Sequence, residues 1–108
     1  MGADGETLAA TLPEEQASLI VEVFRMLADA TRIQILWALT RGELSVNDLA
    51  ERVAKPAPSV SQHLAKLKDE GIVRYRRDHR TLFYAIDHPA VMEIMAVLYT
   101  HFCGKDRT

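Results

Sequence analysis

Two short amphipathic segments, separated by a proline-containing break, occupy the centre of this chain and constrain its fold more than any other feature. Residues 44–53 form the first segment and residues 58–68 the second, with the break at residues 54–57. The second segment has an apolar stripe at helical spacing, formed by Val60, Leu64 and Leu67. A stripe with this spacing packs against a core. The pattern therefore predicts two helices joined by a short turn.

The second of these helices is polar on its other sides. Its polar residues are Ser59, Ser61, Gln62, His63, Lys66 and Lys68. A helix that enters the major groove of DNA packs one face on its own domain and offers hydrogen-bonding groups and cations on the other. The residues up to His63 are predicted to reach base edges, and the two lysines are predicted to meet phosphates. A plain solvated helix face is the alternative interpretation.

A basic hairpin follows directly and favours the DNA interpretation. Residues 72–77 and 81–86 are predicted to form strands around a turn at residues 78–79. Arg77 and Arg80 flank this turn and are predicted to contact a minor groove or the DNA backbone. Ordinary exposed hairpin charge is the alternative for these two arginines.

The charge of the chain is distributed unevenly. The net charge is only −2, which by itself argues against nucleic-acid binding. Residues 1–20 contain four acidic residues and no Lys or Arg, whereas residues 55–80 contain seven Lys and Arg residues against three acidic ones. A basic block centred on the second helix and the hairpin is the pattern expected of a surface that meets phosphates.

Periodic apolar residues predict two helices before this centre and one after it. The element order is then α-α-α-α-β-β-α, a mainly α (α+β) fold built as a winged helix-turn-helix with the hairpin as its wing. Residues 11–103 are predicted to form this single domain, between a flexible N-terminal tail at residues 1–10 and a C-terminal tail at residues 104–108.

The starts of four helices carry capping residues. At the first helix, Thr11 and Glu14 have the spacing of a capping box, and Pro13 suits the first helical turn. Asp29, Ser45 and Asp87 stand at the predicted N-caps of the second, third and last helices. A side-chain oxygen at this position accepts a hydrogen bond from a backbone N–H that has no partner within the helix, and so favours a helix start there.

The first and last helices are apolar on more than one side. A helix with two apolar faces needs two partners, and a chain of 108 residues can hardly supply both. A second copy of the chain is the simplest missing partner. The sequence therefore predicts a homodimer formed through the first and last helices.

Several classes of protein do not fit this sequence. No apolar run approaches the roughly 20 residues of a membrane helix, so no membrane partner is expected. The N-terminus carries acidic residues where a signal peptide needs positive charge, and the single Cys103 suits a reducing compartment, so the protein is expected in the cytoplasm. A Gly-rich phosphate loop and a nucleophile elbow are both missing, which argues against an enzyme.

Three segments are similar to those of one bacterial family: FRMLADATRIQIL (24–36), LSVNDLA (44–50) and SVSQHLAKL (59–67). In combination, over residues 18–86, they resemble the ArsR/SmtB family of winged-helix transcriptional regulators. Residues 20–67 look closest to its nickel- and cobalt-responsive actinobacterial branch. The resemblance implies a homodimer on a partly palindromic double-stranded DNA operator, with an affinity that a metal ion or another effector changes.

That family has two types of metal site with which this chain can be compared. One type uses a Cys-Val-Cys element on the third helix, where this chain has Ser45 and Asn47, so that site is absent. The other uses an Asp-x-His pair at the start of the last helix and two ligands near its end. The candidates here are Asp87, His88, His101 and Cys103. Their spacing departs from the family pattern, because the first two are adjacent and Gly104 replaces the last ligand.

These candidates cannot meet within one chain. His88 and His101 are 13 residues apart, which is about 20 Å along a helix. In an antiparallel pair of last helices, the two histidines of different copies can approach each other and bind nickel, cobalt or zinc. Alternatively, Asp87 is only a helix cap and the histidines have no ligand role, or the N-terminal acidic residues or His79 supply ligands.

Three other interpretations of the function stay open at this point. In one, the signal is redox and acts through Cys103. In another, this chain binds DNA while a partner protein detects the metal. In the third, the winged helix docks a protein and no longer binds DNA, an alternative that a salt-dependent DNA titration distinguishes.

Overall fold

The computed structural model describes residues 11–103, which fold into five helices and three strands. In chain order they are α1 (Glu14–Leu27), α2 (Ala30–Leu39), β1 (Leu44–Ser45), α3 (Val46–Val53), α4 (Ala57–Asp69), β2 (Val73–Asp78), β3 (Thr81–Ile86) and α5 (Pro89–Phe102). The helix-turn-helix consists of α3 and α4, and the wing consists of β2 and β3. The predicted winged fold is confirmed, whereas the predictions for residues 1–10 and 104–108 lie outside the described residues.

The sheet contains one strand that the sequence patterns did not predict. Leu44 of β1 pairs with Tyr84 of β3, and Ser45 pairs with Phe83, so the strand order is β1-β3-β2 and all pairs are antiparallel. A strand of two residues is too short to show an alternating pattern. The predicted element order therefore holds with this one addition.

The wing closes through a tight two-residue loop. The strands β2 and β3 pair from Val73 with Ile86 to Asp78 with Thr81. The loop therefore consists of residues 79–80, one position later than predicted. His79 adopts a positive φ of 60°. Its Nδ1 atom lies 2.8 Å from the Asp78 carboxylate, which links the loop to the end of β2.

The core is formed by all five helices together with the base of the wing. Its fully buried side chains are Ile35, Leu36, Leu39, Leu49, Val60, Leu64, Leu67, Ile72, Val73, Val91 and Met95. The predicted apolar stripe of α4 is part of this set, so that prediction is confirmed. Burial of one such side chain stabilises the fold by about 1.5–3 kcal/mol.

Two of the four predicted helix caps are confirmed. The predicted Thr11 cap is wrong, because α1 begins at Glu14 with Pro13 at its N-cap and no side-chain capping hydrogen bond. At the start of α2, the Asp29 carboxylate accepts a hydrogen bond from the backbone N–H of Arg32 at 2.9 Å. At the start of α3, the Ser45 hydroxyl accepts one from the backbone N–H of Asp48 at 3.1 Å. Both helices therefore begin where the sequence placed them.

The prediction that Asp87 caps α5 was wrong. His88 occupies the N-cap of this helix and makes no side-chain capping hydrogen bond. Asp87 instead accepts a hydrogen bond from the guanidinium of Arg74 at 3.3 Å. Pairing of β2 with β3 places Arg74 beside the residue that follows β3, and Pro89 in the first helical turn has no N–H that needs a cap.

The outer sides of α1 and α5 leave large apolar side chains exposed in the single chain. They include Leu19, Ile20, Val21, Phe24, Met92, Val97, Tyr99 and Phe102, and Leu12 just before α1 is exposed as well. The exposed fraction reaches 64% for Leu19 and 76% for Phe102. A hollow of about 300 Å³ between α1 and α5 is lined by Leu19, Ile20, Val23, Phe24 and Ile94, among others. Contiguous apolar surface of this kind marks an association site.

None of the helices within residues 11–103 has the length and apolar character needed to cross a membrane.

The turn between α3 and α4 contains a residue in a strained backbone conformation. Ala54 ends α3 with φ 58° and ψ 48°, in the left-handed region. A side chain with a Cβ costs about 1–2 kcal/mol there. Ala54→Gly removes this cost but makes the unfolded chain more flexible, so we expect the free energy of unfolding to rise by about 0.5–1 kcal/mol.

Urea denaturation measures this effect. The matched control is Ala65→Gly, at an exposed position inside α4, which should lower the free energy of unfolding by about 1 kcal/mol. A loss of stability in both variants would contradict the strain assigned to Ala54.

Candidate nucleic-acid interface

Packing decides which side of α4 is available for recognition. With its apolar stripe buried, the exposed polar residues of the helix include Ser61, Gln62, Lys66 and Lys68. Ser59 and His63 are half-buried on one flank. The reading face of α4, which we define as Ser61, Gln62 and Lys66, is therefore centred on Gln62. It offers a hydroxyl, an amide and an ammonium group, all suited to hydrogen bonds with bases or phosphates.

His63 is held by a contact from α2. Its Nδ1 atom lies 3.3 Å from a terminal nitrogen of the Arg32 guanidinium. Since arginine can only donate, Nδ1 accepts this hydrogen bond. The imidazole is thereby tied to the domain through Nδ1, and its Nε2 atom is not used by this contact. The structure thus gives His63 a second role besides the predicted contact with DNA.

Arg32 connects three parts of the fold and was not singled out from the sequence. Its Nε donates to the Met26 carbonyl at the end of α1 at 2.7 Å, and its guanidinium reaches His63 on α4. Only 13% of its side chain is exposed. Arg32 and His63 are 31 positions apart in the chain, so no local pattern could have revealed this contact.

The cap of α2 belongs to the same group of contacts. The hydrogen bond from the Arg32 backbone N–H stabilises the Asp29 carboxylate and lowers its pKa, with further lowering from the positive charge of Arg32. Burial opposes this shift without reversing it. The carboxylate therefore stays ionised and holds the turn from which Arg32 extends toward α4.

The four arginines of the wing fall into two pairs with different surroundings. Arg76 donates to Glu43 from Nε at 2.8 Å and lies over the Phe83 ring, while Arg74 pairs with Asp87. The hydrogen bond that Arg76 donates to Glu43 raises the pKa of Arg76.

Arg77 and Arg80, the two predicted contact residues, are exposed, and neither has an ion-pair partner within residues 11–103. Their charge is available to a phosphate backbone or to a minor groove.

A cation–π contact joins α4 to the wing. The Lys68 ammonium lies 5.4 Å from the centre of the Tyr75 ring on β2. Tyr75 in turn stands against Tyr84 of β3, with ring centres 5.5 Å apart. Lys68 was predicted to contact phosphate. The residue is exposed, so its ammonium can still contact phosphate while the side chain lies against the wing.

Together these contacts describe a surface that can bind a nucleic-acid duplex. A helix of moderate-length polar groups projects from the domain, and a hairpin with two exposed arginines stands beside it. The cations give affinity for phosphates, whereas Ser61 and Gln62 have the donor and acceptor groups needed to discriminate bases.

The predicted metal ligands are not brought together within one chain. Asp87 is engaged by Arg74, and His101 and Cys103 are exposed at the end of α5. Residues 11–103 contain no group of three or more His, Cys, Asp or Glu side chains placed to hold an ion. His88 differs from the other candidate ligands, because its Nδ1 atom is buried without a hydrogen-bond partner in the described chain. A buried imidazole nitrogen without a partner is satisfied by a hydrogen bond or a metal ion supplied from outside the described chain.

The known sequences that are similar to this chain are bacterial regulatory proteins. A family model described as bacterial regulatory protein, arsR family, matches residues 29–75. The chain is 60% identical over 84 residues to the HTH-type transcriptional regulator KmtR of Mycobacterium tuberculosis, a match that covers 78% of this chain and 65% of that protein's length. It is also 32% identical to the cadmium resistance transcriptional regulatory protein CadC homolog of Staphylococcus aureus, over 76% of this chain and 69% of that protein.

Solved structures show the same architecture. HlyU from Vibrio cholerae superposes with a TM-score of 0.81 at 32% identity, over 84% of this chain and 99% of that one. A homodimeric winged helix-turn-helix DNA-binding domain from Mycobacterium bovis gives a TM-score of 0.70 at 25% identity, over 90% of this chain and 99% of that one.

The Asp29 cap leads to a pH-dependent prediction. Because its pKa is lowered on folding, its stabilising contribution is complete above the usual aspartate pKa of about 3.9 and is lost as the pH falls through the lower folded-state value. Asp29→Ala should therefore lower the free energy of unfolding by about 1 kcal/mol at neutral pH. The difference from the wild type should shrink in acid.

Denaturation at several pH values measures this difference. Asp69→Ala, at an exposed position in the last turn of α4, is the control and should change stability by less than about 0.5 kcal/mol. A wild-type-minus-variant difference that stays constant into acid would show that the carboxylate of Asp29 is not the stabilising group.

Proposed function

This chain belongs to the ArsR family of bacterial regulatory proteins, and we propose that it is a metal-responsive regulator that binds its DNA operator as a homodimer. Membership in this family makes it a DNA-binding transcriptional regulator rather than an enzyme. The observation that carries the DNA-binding proposal is the reading face of α4 beside the two exposed wing arginines, Arg77 and Arg80. We place its activity in the cytoplasm, where the exposed thiol of Cys103 would stay reduced.

The apolar outer sides of α1 and α5 support the homodimer. They leave side chains such as Leu19, Phe24 and Val97 more than half exposed in the single chain. Covering them with the same surface of a second copy removes this apolar area from water and gives a two-fold interface. The homodimeric relative from Mycobacterium bovis has the same fold.

The two-fold axis also explains the operator that we propose. Two α4 helices related by symmetry enter major grooves one helical turn apart, about 34–36 Å along the duplex. The sequences that they meet are then related by the same symmetry, which makes the operator partly palindromic.

Each part of the DNA-binding surface has its own role in this proposal. Gln62 and Ser61 read base edges, and the half-buried Ser59 and His63 reach the adjacent bases or phosphates from the flank. Lys66 and Lys68 bind phosphates, together with the free N–H groups in the first turn of α4. Arg77 and Arg80 extend the contact to the backbone or the minor groove beside the main site.

The metal site that we propose needs both copies of the chain. His88 supplies a nitrogen that has no partner within the described chain, and His101 comes from the far end of α5 on the other copy. Asp87 can join them only by leaving Arg74. Imidazole and carboxylate ligands suit nickel, cobalt or zinc, and Cys103 as a further ligand would favour softer ions. The similarity to a cadmium resistance regulator agrees with a metal signal.

A metal ion bound by Asp87 would affect the wing through Arg74. The Arg74–Asp87 pair joins β2 to the start of α5. Release of Asp87 toward an ion frees Arg74 in the wing and at the same time ties two copies together through α5. Binding of metal and binding of DNA would then change each other's affinity by the same factor.

The DNA proposal is tested with the operator and a random duplex over a range of salt concentrations. Gln62→Ala should reduce the preference for the operator by about 1–3 kcal/mol, whereas Arg77→Ala should weaken binding to both duplexes alike and lower the salt slope by about one. Arg25→Ala is the control, because Arg25 is exposed on α1 and pairs locally with Glu22.

Two outcomes would overturn this proposal. An unchanged preference for the operator in Gln62→Ala would remove the reading face from sequence recognition. Wild-type protein without salt-sensitive DNA binding would instead indicate a winged-helix module that docks a protein.

The metal proposal is tested by calorimetric titration of the purified protein with nickel, cobalt and zinc. His88→Ala and His101→Ala should each lower metal affinity by more than about tenfold, while size-exclusion chromatography still shows a dimer. His79→Ala, in the wing loop, is the matched control and should bind as the wild type does. Titrations that are unchanged in both α5 variants would exclude this site, and a loss confined to Cys103→Ala would favour a thiol-based signal.

A further inference from the structure

A cavity of about 420 Å³ opens between α2 and α5, away from the reading face. Its walls consist of Trp37, Thr40, Arg41, Met92, Met95, Ala96, Tyr99 and Thr100. This volume lies within the range of sites that hold small organic molecules. Neither the DNA-binding surface nor the candidate metal ligands use these residues.

The inner part of the cavity suits a flat aromatic ring. The rings of Trp37 and Tyr99 stand 6.3 Å apart at an angle of 40°. Met95 forms a buried floor, and Met92 lies beside it as a second thioether. Aromatic rings and polarizable sulfur atoms make favourable contacts with another aromatic ring beyond simple burial of area.

The rim of the cavity is positively charged. Arg41 lines both this cavity and a neighbouring hollow of about 280 Å³, which also contains Arg52. No Asp or Glu lines either space, and neither arginine has an ion-pair partner within residues 11–103. An unpaired guanidinium beside an apolar cavity recognises a planar anion, above all a carboxylate.

The cavity lies on a different side of α5 from the hollow that this helix shares with α1. On a helix of 3.6 residues per turn, Met92 and Tyr99 point about 140–160° away from Ile94 and Val97. Ile94 and Val97 belong to the apolar side that is shared with or adjacent to α1. Met92 and Tyr99 can therefore contact a ligand while Ile94 and Val97 contact protein.

We propose that the cavity between α2 and α5 binds a small aromatic carboxylate, with its ring against Trp37 and Tyr99 and its carboxylate at Arg41. The ring packs against the apolar inner walls. The carboxylate supplies a negative charge to pair with Arg41. The binding is non-covalent and requires neither metal nor DNA.

The chain provides its own reporter for this binding. Trp37 is the only tryptophan among the 108 residues, so a change in tryptophan fluorescence reports on this cavity. Benzoate is the probe. Benzamide is the matched neutral ring, and cyclohexanecarboxylate is the matched non-aromatic acid. Benzoate should bind saturably and about fivefold or more tightly than either of them, with calorimetry giving the same order.

Two variants separate the charge from the ring. Arg41→Gln should remove the preference for benzoate over benzamide, while Tyr99→Leu should remove the preference for benzoate over cyclohexanecarboxylate. Both positions are exposed, so neither change removes a core side chain. Arg25→Gln is the control with an equal loss of charge at a distance, and should bind as the wild type does.

Three results would overturn the proposal. They are the absence of saturable binding of benzoate, equal affinity for benzoate and benzamide, or an Arg41→Gln variant that binds all three probes as the wild type does. Equal affinity would mean that the cavity takes neutral apolar molecules. An unaffected Arg41→Gln variant would place the anion elsewhere.

Discussion

The packing of α4 on α2 is the contact on which the DNA-binding surface depends. The apolar stripe of α4 and the buried residues Ile35, Leu36 and Leu39 of α2 lie in one continuous core. A rotation of α4 about its axis would bring this stripe into water at a cost of about 1.5–3 kcal/mol for each side chain. The same packing therefore decides that Gln62 and Lys66 face outward. Recognition of DNA is in this sense a consequence of which side of one helix is apolar.

Two polar contacts, at His63 and at Lys68, also hold α4 in place. Arg32 ties His63 to the end of α1, and Lys68 rests on Tyr75 in the wing. Each contact is worth little beside the core, because exposed cation–π contacts contribute about 0.5–1 kcal/mol and single hydrogen bonds about as much. Their effect is on position, since they join the helix to the two elements that also carry the dimer surface and the wing arginines.

Three sides of the last helix, α5, have different surroundings. One side of α5 enters the core through Val91 and Met95, a second carries the apolar surface that we assign to the dimer, and a third lines the cavity beside Trp37. The candidate metal residues stand at its two ends. A helix with so many partners can convert occupancy of one side into a shift of another, which is the physical requirement for an effector that changes DNA affinity.

The sequence by itself determined those features that depend on residues close together in the chain. Apolar periodicity specified the stripe of α4, short-range caps specified the starts of α2 and α3, and strand patterns specified the wing. Tertiary structure decided the contacts between distant residues: Arg32 with His63 across 31 positions, Arg76 with Glu43 across 33, and Arg74 with Asp87 across 13. It also decided that Asp87 pairs with the wing rather than capping α5, and that Trp37 and Tyr99 enclose a cavity. The physical reason is range: backbone periodicity and capping act within about one or two helical turns, whereas side chains far apart in the chain meet only after the core has set the positions of their helices and strands.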